Sequence, residues 1–138
     1  MGAWDYGIFD DDTAYDFTDE IKTDAKTFFK SSFESAINSD YLEYDECHMV
    51  TVSAAYLDNY LNGTKYRTDS EEEKDESNVN MFSKLNLDLK LDDLKEPAIK
   101  ALDIVISEKS ELNELWSDNE ELYPKWKRNL EELISRLK

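Results

Sequence analysis

Glycine, proline, cysteine and histidine are all scarce in this chain, with three Gly, two Pro, one Cys and one His among 138 residues. So few turn-forming residues exclude the many tight reversals of a β-sandwich or barrel and favour long helices joined by polar loops. A lone Cys47 excludes an internal disulfide and fits a reducing compartment. A lone His48 excludes a His-rich metal centre. No run of about 18 apolar residues exists to form a membrane-spanning helix. The opening residues lack the basic segment and apolar stretch of a signal peptide, so a cytoplasmic protein without a membrane partner is expected. The myristoylation pattern fails as well, because Tyr6 stands where Ser or Thr is required. Basic residues are outnumbered 16 to 33, leaving a net charge of −17. A field of that sign repels phosphate backbones and anionic lipid, so no nucleic-acid partner is expected.

Aromatic residues are plentiful: three Trp, eight Tyr and six Phe within a 40% apolar composition. That supply of buried area fits one domain of this length with one core. The charge is uneven, −14 over residues 1–76 and −3 over residues 77–138. Such a field attracts a basic protein partner and speeds the encounter at low salt.

Periodicity places the helices. Asp12 reads as an N-cap, followed by Ala14, Phe17 and Ile21 at helical spacing. Thr23 and Asp24 form a second start signal, after which Ala25, Phe28, Phe29, Phe33, Ala36 and Ile37 make one apolar stripe; the two pieces are continuous or bent near Thr23. A further helix from about Asp45 to Leu61 buries Cys47, Val50, Ala54, Leu57 and Leu61 and stops at Asn62-Gly63. Residues 63–80 are almost without apolar content and contain "SEEEKDE", the pattern of a flexible acidic loop. In "KLNLDLKL" the residues Leu85, Leu87, Leu89 and Leu91 alternate as in a strand, but no second strand offers a partner, so an extended segment across the helices is expected. A capping box at Asp93 and Glu96 opens a helix to about Ser107, "SELNELW" a short one from Ser110 to Trp116, and the last runs from about Tyr123 with Pro124 in its first turn. The fold class is mainly α: a single-domain bundle of about five helices spanning 1–138, with an acidic loop and a leucine segment.

Catalytic chemistry finds no foothold. Cys47 and His48 are adjacent, and adjacent residues do not face each other on a helix. The run Asp10–Asp12 departs from a calcium loop at Ala14 and has no following glycine. No glycine-rich phosphate cradle and no basic patch with interleaved aromatics exist. No catalytic, cofactor or metal residues are therefore assigned. Aromatic anchors beside acids mark a partner-binding surface instead: Tyr41, Tyr44, Tyr56 and Tyr60 with Glu43, Asp45, Glu46 and Asp58. The reading that follows is a non-catalytic protein-binding domain of immunity or inhibitor type. The alternative is a small ligand- or metal-binding domain or enzyme using carboxylates in a helical cleft.

The opening "MGAWDYGIFDDDTAYDF" resembles that of a bacterial family, a domain of unknown function whose members begin M-G-A-W-G-x-G-x-F-x-x-D-x-A-x-D. Met1 through Trp4, Gly7, Phe9, Asp12, Ala14 and Asp16 match, and Asp5 departs where Gly is usual. "YLEYDECHMVTVSAAYLDNYLNG", "ALDIVIS", "SELNELW" and "WKRNLEELISRLK" are similar to later parts of the same family, so the likeness spans nearly the whole chain outside the acidic loop. The resemblance implies a small, mainly helical domain and carries no activity with it. It implies that Trp4 and Phe9 dock the N-terminal segment on the bundle, with Gly7 in a turn and Asp12 as a cap.

Overall fold

The computed structural model describes residues 7–9, 13, 16–66, 79–86 and 88–138. Helix α1 spans Thr18–Ile37 and is broken at Asp24, whose backbone leaves the helical region at φ −156° and ψ 85°. The same residue restarts the helix: its Oδ1 accepts the Thr27 backbone N–H at 3.2 Å and its Oδ2 accepts the Thr27 hydroxyl at 2.8 Å. This is an N-cap inside a continuous chain, at the second start signal visible in the sequence. Beyond it Ala25, Phe28, Phe29, Phe33 and Ala36 are buried. Ile37, expected in that stripe, is exposed instead, because the helix ends there and its last turn runs out past the core.

Helix α2, Tyr44–Asn62, opens with a reciprocal capping box between Glu43 and Glu46 and closes at Gly63, whose left-handed φ of 73° lets its N–H reach the Asn59 carbonyl at 2.9 Å. The sequence suggests one buried stripe. The structure buries the entire circumference from Val50 to Asn59. A helix buried on every side lies inside its domain, and α2 packs against all five other α-helices.

Those five surround it. The short α3, Phe82–Leu85, follows a 3-10 turn at Val79–Met81; α4, Lys95–Val105, follows another at Asp92–Leu94; α5 is Glu111–Ser117 and α6 is Tyr123–Leu137. Ser110 caps α5 by accepting the Asn113 N–H at 3.2 Å. Leu42 donates to the Lys109 carbonyl at 2.8 Å and accepts from Glu111 at 2.9 Å, an isolated parallel bridge that ties the α1–α2 turn to the start of α5. Phe29, Phe33, Leu57, Leu102, Leu130 and Leu133 are fully buried in the common core, each worth about 1.5–3 kcal/mol relative to exposure.

As expected for an unpaired segment, there is no strand among the described residues; what differs is its start, where Leu85 closes α3, while Leu89 is half-buried, Leu91 is buried ahead of the 3-10 turn, and Leu87 lies outside the described residues. At the end of the acidic segment, Val79 and Asn80 belong to a 3-10 turn with Val79 buried, while 67–78 lies outside the described residues. Of the N-terminal motif, Phe9 is buried with its ring edge-on to Tyr56 and Tyr66, Gly7 is half-buried, and the exposed Asp16 donates its N–H to Thr13. Trp4, Asp12 and Ala14 lie outside the described residues.

Candidate functional site

The eight residues read from the sequence as a binding surface divide by position along α2. Tyr41, Glu43 and Asp45 are exposed, and Tyr44 and Glu46 half-buried, at the α1–α2 turn and the start of α2. Tyr56 and Asp58 are buried and leave the surface; helical rise puts them about 20 Å further along the axis. Tyr60 is half-buried, packs on Phe82 and donates its hydroxyl to the Leu89 carbonyl. The physical reason is the central place of α2: along Val50–Asn59 it has no solvent face.

Near the α1–α2 turn, Ile37 and Tyr41 are the large apolar side chains left exposed among the described residues, at 37% and 40%. Exposed Glu34, Asp40, Glu43 and Asp45 flank them in sequence. The Leu42 bridge adds Glu111, whose Oε1 accepts the Tyr44 N–H at 2.7 Å, together with Glu114 and one base, Lys109. Partial desolvation, and then the nearby Glu114 carboxylate, raises the Tyr41 phenol above its usual value, so it stays a hydrogen-bond donor.

Beneath this surface Cys47 Sγ lies 3.2 Å from Ser110 Oγ and within reach of the Leu42 carbonyl. Burial pushes its thiol up, which keeps it protonated and unsuited to nucleophilic attack. His48 is buried with its ring edge-on to Tyr44 at 4.6 Å.

A polar cluster at the other end of α2 was not legible in the sequence. Asp58, fully buried, accepts Arg136 Nε at 2.8 Å and the Tyr66 hydroxyl at 2.6 Å on Oδ2, and Asn62 Nδ2 at 2.8 Å on Oδ1. Burial alone would lower the Arg136 guanidinium, but its contacts with Asp58 and Tyr66 outweigh that, and the net shift is upward. An acid set directly after the apolar run Ala54–Leu57 was the one available hint. Two asparagines hold the chain beside it. Buried Asn59 donates to the Thr64 carbonyl and accepts the Ser83 N–H, and Asn80 accepts the Tyr66 N–H at 2.7 Å and donates to the Tyr66 carbonyl at 2.8 Å.

The described residues line a groove of about 510 Å³ between α1 and Met49 and another of about 400 Å³ by Tyr60, Ser83, Lys84 and Asp92. Among the described residues no group of three or more His, Cys, Asp or Glu is placed to hold a metal ion, and no helix is long and apolar enough to cross a membrane.

Taken together, the geometry is that of a small single-domain helical protein with a central helix enclosed along Val50–Asn59 and, among the described residues, its exposed large apolar side chains at the α1–α2 turn. The chain belongs to the family described as a domain of unknown function (DUF4259), matched over residues 2–129. No curated protein and no solved structure matches it.

Proposed function

We propose that this chain is a non-catalytic protein-binding domain of immunity or inhibitor type, and that it takes a basic protein, such as a toxin, on the α1–α2 turn. One observation carries the reading: Ile37 and Tyr41, the large apolar side chains exposed among the described residues, lie four positions apart at a turn flanked by acids. An apolar anchor within a charged rim is the usual anatomy of a binding hot spot. The rim steers an oppositely charged partner, and the anchor supplies the desolvated contact that holds it.

The test is recovery of a partner on the tagged chain at low salt, with its charge and stoichiometry determined. A stoichiometric basic protein that salt releases, and that Tyr41→Ala or Asp45→Lys fails to retain, supports the assignment. Retention that ignores both substitutions and salt refutes it.

A further inference from the structure

The groove between α1 and α2 has an uneven chemistry. Its apolar lining comes from Met49 and from Phe28, the latter 8% exposed. Its rim carries two carboxylates, Glu20 and Asp24, and the hydroxyls of Thr23, Thr27 and Ser31, with no basic side chain among its lining residues. Lys26 on the same helix is engaged elsewhere, donating to the Lys90 carbonyl at 2.9 Å and pairing with Asp93 at 3.6 Å. The break at Asp24 holds this carboxylate at the groove's edge by fixing it to Thr27. At about 510 Å³ the space falls in the range of a small-molecule site and holds one long side chain with its flanking backbone.

We propose that this groove receives an arginine side chain of the basic partner, an inference that rests on the protein-binding reading above. Arginine fits both halves of the groove. Its aliphatic stem covers Met49 and the exposed part of Phe28, and its guanidinium donors meet the Glu20 and Asp24 carboxylates. Lysine offers a compact, strongly hydrated charge that stacks poorly and is the weaker fit. Helical spacing leads from the groove toward the turn surface: Ser31 and Glu34 are neighbours on one face of α1, as are Met49 and Asp45 on α2. A basic segment anchored at Tyr41 can therefore extend along α1 into the groove.

Two measurements test this, one without the partner and one with it. N-acetyl-arginine amide, titrated at low salt, is expected to shift the Met49 methyl and Thr27 amide resonances saturably. Glu20→Gln and Asp24→Asn, the latter keeping a capping acceptor, should each weaken binding by about two- to fivefold, the range of an exposed charge pair. Neutral N-acetyl-norleucine amide should not saturate. Equal binding of the neutral and charged probes overturns the proposal, and so does a shift produced by raising protein concentration alone, which would make the occupant a second copy. With the partner, the doubly substituted chain should release it at lower salt than the unsubstituted chain does. Unchanged release refutes the arginine groove and leaves the Tyr41 surface standing. If no basic partner exists the protein-binding reading fails, and the titration still decides whether the groove selects guanidinium.

Discussion

Ser53 places a hydroxyl in the middle of α2, fully buried and without a hydrogen-bond partner among the described residues. An unmet buried hydroxyl costs free energy, and alanine is the better helix former. Ser53→Ala should therefore raise stability by about 0.5–1 kcal/mol in urea unfolding, whereas a loss would show that the hydroxyl is satisfied. Asp58 presents the opposite case, a buried charge whose partners are all in place. Removing Arg136 strands it. Arg136→Ala should cost about 2 kcal/mol, below the usual figure for a fully buried pair because solvent reaches Arg136. Asp58→Asn on that background should recover part of the loss, and a double-mutant cycle measures the coupling. Tyr66 adds a dependence on pH. Burial, and then its bond to the Asp58 carboxylate, holds the phenol above its ordinary 10.0. A raised folded-state value means that this contribution is complete below about pH 10 and is lost as pH climbs past it. Tyr66→Phe should flatten that part of the alkaline decline.

Among the elements, most of those closed by local chemistry were legible; the exception is the Asp93–Glu96 box, since Asp93 lies inside a 3-10 turn and α4 starts at Lys95 after Leu94 with no side-chain cap. The Asp24 restart, the Asn62-Gly63 stop, the Ser110 cap and Pro124 all act through neighbours within a few residues, so sequence reports them directly. Gly63→Ala should cost about 1 kcal/mol, and from conformation alone, because an added Cβ meets nothing within 4 Å. The enclosure of α2 was less legible, since a periodicity argument assumes a solvent face and this helix has none along Val50–Asn59. The hint was composition: Cys47–Leu57 carries no Asp, Glu, Lys or Arg in a chain that is 36% charged. Small residues at Ala54 and Ala55, both fully buried, let neighbours approach closely. Ala54→Leu should cost about 1–3 kcal/mol by overpacking, visible as a lower Tm. The leucine alternation was rightly not read as a strand, but it hid the helical turn at Leu85. A period of two needs a paired strand to have meaning, and here Leu85 and Leu91 serve two different turns.

At the scale of the molecule, charge was legible in amount and not in place. A net −17 stands in the composition, but which acids surround Tyr41 depends on the Leu42 bridge, a contact between residues far apart in sequence. The excess of one sign opposes compaction. Raising monovalent salt from about 0.01 M to about 0.15 M shortens the screening length from about 30 Å to about 8 Å. It should raise Tm by about 3 °C, equivalent to about 1 kcal/mol; an unchanged Tm would mean that the folded surface already disperses its charge.

The paired hydrogen bonds between Tyr66 and Asn80 also make the molecule a carrier. They hold side by side the two points between which residues 67–78 run, so the ends of any segment spliced there are pinned at a fixed spacing. Closure entropy grows only with the logarithm of length, about 0.6 kcal/mol for each doubling. An epitope exchanged for residues 67–78 is thus held between two ends already pinned together, and the Tyr66–Asn80 junction becomes the natural handle for tagging the protein.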